Sequence, residues 1–519
     1  MSRVRAALPC LLAFSTLPLI SGCVVGPTYR RPSLPPANAY SPTPLPQSTA
    51  ATPGIAAGAA QSFNVGSAIS AQWWTLFRSA ALDRLIRRAF AQNPTIDATV
   101  AALKEAQENV YAQRGYFYPT VQASYQGERI RLSGNTASSS SPGIQGNGEN
   151  IAPLGPAEPV TYNFHTAQVT VGFAPDVFGL NHRQVESLQA QAAAARYQLE
   201  AAYVTLASNV VAAALQEAST RAQIAAVQTI LRANRRSLQI MRRQLQLGYA
   251  ARLDVAQQEL ALAQAQALLP PLQRQLAQTR DLLRALAGDA PDRDVPETFT
   301  LDSLHLPERL PLSLPSQLVE QRPDVLAAEE QVHAASAQVG VAVANRLPSF
   351  SLTAALGGQA SRITQMFWGS GTFWSVLGNA SQPLFDAGTL RHRQNAAEQA
   401  LAQAAAQYRN TVLIAFQNVA DTLHALYSDA DALRSAMAVE KAAKAALQVS
   451  RRQYQAGYAS YVPVLTAQAA YQQAVIARVQ SQAARLGDTA ALFQALGGGW
   501  WGGPRQATPE GMAFGPRLR

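Results

Sequence analysis

Residues 181–247 read NHRQVESLQAQAAAARYQLEAAYVTLASNVVAAALQEASTRAQIAAVQTILRANRRSLQIMRRQLQL, with neither glycine nor proline, and Gly179 and Gly248 bracket them. Ala, Gln, Leu, Val and Arg dominate, mostly strong helix formers. Helix breakers stand only at the ends, which predicts one uninterrupted helix from Asn181 to Leu247. At ~1.5 Å per residue it would be about 100 Å long, far more than a globular domain needs. Its apolar positions step by three and four through Leu188, Ala192, Ala195, Leu199, Tyr203, Leu206 and Val210. One four-four step stretches the heptad toward the natural helical period, so supercoiling is slight. Taken alone, the run also fits an ordinary coiled-coil stalk.

The design occurs twice. Leu390 to Ala456 is a second run without Gly or Pro, of similar length and composition. Leu238-Gln239, Arg242-Arg243-Gln244, Gln246 and Gly248-Tyr249-Ala250 recur without a gap as Leu447-Gln448, Arg451-Arg452-Gln453, Gln455 and Gly457-Tyr458-Ala459. His182-Arg183-Gln184 is echoed by His392-Arg393-Gln394, and Ala285-Leu286-Ala287-Gly288 by Ala495-Leu496-Gly497-Gly498. Alanine-rich helices resemble one another by chance; shared Arg-Arg-Gln and Gly-Tyr-Ala at one offset mark an internal duplication.

At the start, Arg3 and Arg5 precede the apolar run Ala6 to Ile20 and then Ser21-Gly22-Cys23. A charged head, an apolar segment too short to span a membrane and small residues before a cleavage point make a signal peptide. Small residues directly before a cysteine also resemble the bacterial lipobox, whose cysteine is diacylated. Cys10 would leave with the signal and Cys23 would carry the lipid, leaving no thiol for a disulfide, a metal or catalysis. A plain secretory signal is the alternative. Val24 in place of Asp after the cysteine favours, by the same resemblance, delivery to the outer membrane. Residues 23–64 are rich in Pro, Ala, Ser and Thr and read as an extended tether without a core of its own. The formal charge of +10 is spread along the helices rather than clustered, which speaks for a solvated or lumen-facing surface and against nucleic acid.

After a helix over about Thr95 to Gly115 the period changes. Val121, Ala123, Tyr125 and Gly127 alternate with polar neighbours, as do Val169, Val171 and Phe173, then Phe350 to Leu356, and more weakly Phe373 to Pro383. Alternation with period two predicts strands with one apolar face. A polar loop separates the members of each pair, Ser133 to Val160 and Gly357 to Thr372. Spanning a membrane takes ~9–11 residues of strand, but open edges cannot exist in lipid, and four strands close no useful barrel. If these strands are transmembrane, the chain must oligomerise; a soluble sheet capping the helices is the other reading. Each half runs helix, strand, loop, strand, long helix, tight turn, shorter helix. The closing helix of the first half is expected over Arg252 to Leu286, with the Thr95–Gly115 helix stacked end to end on it. Pro323 to Asn345 and Tyr461 to Leu496 repeat the scheme, and Gly248 and Gly457 mark the hairpin tips.

With these parts assembled, the chain resembles the TolC-like outer-membrane factors of tripartite efflux and secretion systems, most of all their NodT-type lipoprotein branch. The matches are Trp73-Trp74-Thr75-Leu76-Phe77, Asn93-Pro94, Gln321-Arg322-Pro323-Asp324-Val325, Ala337-Gln338-Val339-Gly340-Val341-Ala342, Pro348-Ser349-Phe350-Ser351-Leu352, Gln382-Pro383-Leu384-Phe385-Asp386-Ala387-Gly388 and the closing Ala495-Leu496-Gly497-Gly498-Gly499-Trp500. The resemblance implies a mixed α and β membrane protein, a homotrimer in which each chain gives four strands to one twelve-stranded transmembrane β-barrel. Long helices form a periplasmic α-helical barrel, with a mixed equatorial domain between. It divides the chain into a signal peptide (1–22), a lipidated tether (23–64), two repeats (65–290 and 291–500) and a flexible tail (501–519).

The implied function is a passive exit duct for drugs or other small molecules in a Gram-negative outer membrane, fed by a periplasmic adaptor (membrane fusion protein) and an inner-membrane RND-type pump. It needs no cofactor beyond diacylglycerol and palmitate on Cys23. A type I protein-secretion duct and a soluble periplasmic coiled-coil adaptor are the alternatives. An enzyme is disfavoured, since no H-E-x-x-H, G-x-S-x-G or phosphate-binding glycine loop occurs.

In the family the second tip often reads Tyr-Leu-x-Leu-Leu-Asp-Ala-Gln-Arg, and its Asp and Arg help close the pore. Here the Asp position is Thr466 and the Arg position is Ala469. Closure is then expected to rest on Tyr461 and Val462 packing, unless these residues only pack the turn. At the first tip Arg252 and Asp254 either meet the adaptor or cap a helix, Asp254 suiting a first helical turn.

Overall fold

The computed structural model describes residues 24–33, 39–44, 46–67, 69–132 and 159–500. Signal peptide, Cys23 and tail (501–519) lie outside the described residues. In chain order the first half holds β1 (Ser62–Val65), α1 (Ala80–Gln92), α2 (Pro94–Arg114), β2 (Thr120–Leu132), β3 (Val160–Phe173), α3 (Leu180–Gln246), α4 (Arg252–Ala267) and α5 (Leu269–Ala287). The second holds β4 (Arg309–Leu312), α6 (Pro315–Gln321), α7 (Pro323–Ala344), β5 (Ser349–Ala360), β6 (Thr372–Ser381), α8 (Thr389–Gln455) and α9 (Val462–Ala495). The two long helices α3 and α8 each have 67 residues and begin and end one residue before the expected limits.

The chain divides into two compact units. The first comprises the described residues of Met1–Arg30, Gln107–Ala190 and His333–Ala402. Its centre is an antiparallel sheet in the order β2-β3-β5-β6. Register puts Val121, Val171, Ala354 and Val376 in one row and Val169, Leu356 and Trp374 in another, all on one face. Gln122 with Thr170, Ser124 with Gln168 and Ser351 with Asn379 occupy the opposite face. β2 is exposed along almost its whole length. Among the described residues the sheet is a single layer, as the alternation requires if one face meets lipid and the other water.

Residues 24–30 are seated on this unit. The Val25 N–H donates to the Phe178 carbonyl (3.2 Å), while Arg183 donates to the carbonyls of Val25 (2.9 Å) and Gly26 (3.2 Å). Tyr29 stacks on His333 at 4.4 Å, and His333 Nε2 lies 3.1 Å from Glu186 Oε1. A Cβ at Gly340 would fall 2.8 Å from Arg183 Cδ, so only glycine admits the guanidinium there.

The second unit comprises Arg31–Ala106, Gln191–Val332 and the described part of Gln403–Arg519. It carries the hairpins α3/α4 and α8/α9 and an apolar belt. The belt is built on a short 3-10 turn, Trp73–Phe77, whose Trp73 stacks on Phe493 at 5.2 Å. Leu82, Leu85, Ile86 and Ala89, one face of α1, are fully buried. The expected end-to-end helix stacking is present in both halves. Asn93 caps α2, its Oδ1 accepting from Thr95 N (2.9 Å), and its Nδ2 donates to Leu286 O (2.9 Å) at the end of α5. Arg322, just before Pro323, donates to Ala495 O (2.6 Å) at the end of α9. The positive start of one helix thus meets the negative end of another.

Two expectations are corrected. The helix expected over Arg252 to Leu286 breaks at Leu268, because Pro270 and Pro271 lack the N–H groups that would continue the ladder. Within the stretch read as a coreless tether (23–64), residues 46–64 are docked through Thr49, Thr52, Ala57 and Gln61, which are buried. β1 pairs in parallel with β4, and Gln61 is wholly buried, its Nε2 donating to Pro307 O and Thr489 Oγ1 at 3.0 Å each. Arg485, also wholly buried, donates through Nη2 to Thr49 Oγ1 (3.0 Å), Ala50 O (3.3 Å) and Ala59 O (2.7 Å).

Candidate functional site

Both long helices end on the same glycine cap. Gly248 (φ 79°) and Gly457 (φ 77°) take the left-handed conformation, with nothing within 4 Å of an added Cβ. Tyr249 N donates to Gln244 O and Tyr458 N to Gln453 O, the six-to-one bond of a Schellman end. The sharp turn lets α4 and α9 fold back along α3 and α8. Next to the tips, Leu238, Met241, Val255, Leu447, Tyr461 and Val464 form one apolar cluster that joins the two hairpins.

The structure separates the residues grouped for the gate. Tyr461 is buried in that cluster, 5.0 Å from the ring of Tyr454, and its hydroxyl donates to Gln258 Oε1 at 2.7 Å. Burial, the largest cause, pushes its pKa up to about 12. Val462, Thr466 and Ala469 lie on the exposed side of α9. Thr466 Oγ1 turns back to Val462 O (3.2 Å) and carries no charge outward. At the first tip Arg252 is exposed, and Asp254 Oδ2 accepts from Ala251 N (3.3 Å), a capping geometry.

Sequence reasoning missed a buried amide network beside the cluster. Gln258 and Asn234 are wholly buried, and Gln258 Nε2 donates to Asn234 O (3.1 Å) and Oδ1 (3.4 Å). Gln468 Nε2 also reaches Asn234 Oδ1, and Arg451 donates to Gln468 Oε1 (3.3 Å). One signal was available. Arg242 pairs with Glu259 (2.6 Å) across the exposed side of the first hairpin, and the duplicated positions are Arg451 and Gln468. The lost carboxylate marks a position that has turned inward.

An apolar-and-polar single-layer sheet joined to paired long helices defines a class: an outer-membrane protein built to conduct. Among the described residues no helix is long and apolar enough to cross a membrane. Compared with known proteins, the chain matches the family model described as outer membrane efflux protein over residues 85–289 and 314–498. It is 29% identical over 431 residues to the pyoverdine export outer membrane protein OpmQ of Pseudomonas putida, covering 83% of this chain and 88% of that one. It is 27% identical over 493 residues to the cation efflux system protein CusC of Escherichia coli O6:H1, covering 95% and 99%. Among solved structures, the outer-membrane channel OprN superposes with a TM-score of 0.77 at 26% identity, covering 92% of this chain and 100% of that one. The chain belongs to the outer membrane efflux protein family. It is an outer-membrane exit duct of a tripartite efflux system, and that family is one of channels, not enzymes.

Proposed function

We propose that three copies assemble into one passive duct. Each chain supplies β2, β3, β5 and β6 to a twelve-stranded barrel, and α2 to α5 and α7 to α9 to a periplasmic helical barrel. The observation that carries this is the sheet: one apolar face, one polar face, and β2 and β6 as its outer strands. Such edges are untenable in lipid until other strands cover them. The internal duplication fits the same plan, since two like halves per chain give six like wall segments. Cys23 carries diacylglycerol and palmitate and anchors the chain to the outer membrane, and the seating of Val24 to Tyr29 would hold that anchor close to the strand ends. A periplasmic adaptor (membrane fusion protein) and an RND-type inner-membrane pump deliver the cargo, with the tips Gly248, Arg252, Asp254 and Gly457 facing the adaptor. OpmQ and CusC are named for pyoverdine and for cations, so cargo in such systems is set outside the shared fold, and drugs or other small molecules fit this chain equally.

The gate sits at the second tip. Without a carboxylate at Thr466 or a guanidinium at Ala469, closure rests on apolar packing, with Val462 at the exposed surface and Tyr461 holding the helix that presents it. Two measurements test this reading. Native mass spectrometry with planar-bilayer recording is expected to give a conducting trimer; a stable, non-conducting monomer refutes it. Val462→Ser is expected to raise resting conductance, and a channel as tightly closed as wild type refutes the apolar gate.

A further inference from the structure

The repeat and the sheet register together specify how one copy joins the next, an inference that rests on the trimeric reading above. Pro94 and Pro119 are spaced like Pro323 and Pro348, and Gly179 and Gly248 like Gly388 and Gly457. The prolines make β2 the counterpart of β5, with Thr120 equivalent to Ser349. The glycines make β3 the counterpart of β6, with Gly172 equivalent to Ser381. The two alignments are independent, yet Thr120 pairs with Gly172 and Ser349 pairs with Ser381. Each hairpin therefore has the same internal register.

Within the chain the halves meet at the β3–β5 seam, where Val171 is opposite Ala354, Thr170 opposite Ala355 and His165 opposite Ala360. The counterpart of that seam joins β6 to β2, and these cannot meet within one copy because β3 and β5 lie between them. We infer that β6 pairs antiparallel with β2 of a second copy in the translated register, Ala380 opposite the partner's Tyr125 and Trp374 opposite the partner's Arg131.

The register satisfies conditions that were not used to obtain it. Ala380 shares its face with Val376 and Trp374, and Tyr125 shares its face with Val121, so the apolar sides coincide. Asn379 falls opposite the partner's Gln126 on the polar side, amide against amide. Near the loop end Trp374, 76% exposed in the single chain, receives the partner's Arg131, a guanidinium over an indole. A slip by one residue would invert every face. A slip by two keeps the faces but breaks the equivalence of the two seams. Beside β6, Leu384 and Phe385 are 95% and 90% exposed, whereas Phe178, at the matching corner of the first half, lies 6.4 Å from Phe350. That corner of the second half is also left for a second copy to cover.

The test is paired cysteine substitution in the full chain, carried in outer membranes and mildly oxidised. Ala380→Cys with Tyr125→Cys and Asn379→Cys with Gln126→Cys are the matched pairs; neighbouring antiparallel positions alternate in type, so one of them has the closer spacing. Ala380→Cys with Ala123→Cys or with Gly127→Cys are the slipped pairs. At least one matched pair is expected to link copies about tenfold more than either slipped pair, because disulfide geometry tolerates little displacement. Stronger linking in a slipped pair overturns the register and leaves the second-copy seam standing. An intact trimer linked by no pair overturns the seam, while the trimer survives. A monomer by native mass, linked by no pair, overturns the trimeric reading on which the inference rests.

Discussion

Replacing Tyr461 by phenylalanine removes one oxygen from the tip and leaves the ring against Tyr454 and Val464. That hydroxyl supplies the 2.7 Å bond to Gln258 Oε1, and Gln258 is wholly buried. Its amide nitrogen is already committed to Asn234, so the carbonyl oxygen is left without its partner. A buried acceptor stranded in this way costs about 1–3 kcal/mol. The loss should stay local, because the tip cluster and the amide network are confined to the ends of α3, α4, α8 and α9. Hydrogen exchange of the intact protein in nanodiscs reads it directly. Amides of residues 461–468 should lose protection about fivefold to a hundredfold, at roughly tenfold per 1.4 kcal/mol, while those of α1 stay unchanged. Unchanged protection at 461–468 in Tyr461→Phe would show that the hydroxyl anchors nothing.

Arg322→Ala should cost about 2–3 kcal/mol, because it removes charge-assisted bonds to Ala495 O and Asp324 from a buried position; Arg322→Lys should not restore the thermal midpoint, lacking the planar fork. Gly457→Ala should cost about 1 kcal/mol by chemical denaturation, since its strain is that of the backbone alone. Gly340→Ala should displace Arg183 and free residues 24–26, seen as faster tryptic cleavage after Arg30. Asp429 is pushed up to about 7 by burial and by the hydrogen bond and charge of Asp488, with Arg485 opposing. Its folded pKa exceeds the ordinary value of about 3.9, so its contribution is full at acid pH and is lost as pH rises through about 7. The thermal midpoint should be higher at pH 5 than at pH 8, and Asp429→Asn should flatten the difference.

Features that obey a local period are legible in the amino-acid order alone. The glycine-free runs mark α3 and α8 to within a residue, and alternation from Val121 and Phe350 marks the strands and their apolar sides. The turn chemistry of Gly248 and Gly457 is as plain. Breaks and docking are harder. Pro270-Pro271 announces the end of α4, but helix formers on both sides continue the pattern across it. Residues 46–64 look like a linker because their polar groups find partners only far along the chain: Thr49 meets Arg485, and Gln61 meets Thr489. No window of sequence contains both members of such a pair.

The amide network shows why helical polar residues mislead. Asn234, Gln258 and Gln468 stand on long helices, where amides usually face solvent. Burial is offset because Gln258 on α4 and Gln468 on α9 both donate to Asn234 on α3, while Tyr461 and Arg451 donate to their amide oxygens. Duplication turned this into a readable difference. The first hairpin keeps Arg242 and Glu259 in solvent, where exposed pairs contribute little and a carboxylate costs nothing. At the equivalent place the second hairpin faces the first, and a carboxylate there would be desolvated beside neutral amides. Glutamine at 468 removes that penalty and keeps the bond to Arg451. Exchange of a charged residue for its amide between two copies of one motif therefore marks a position that packs against the other copy, here Gln468 on the α9 face that meets Asn234.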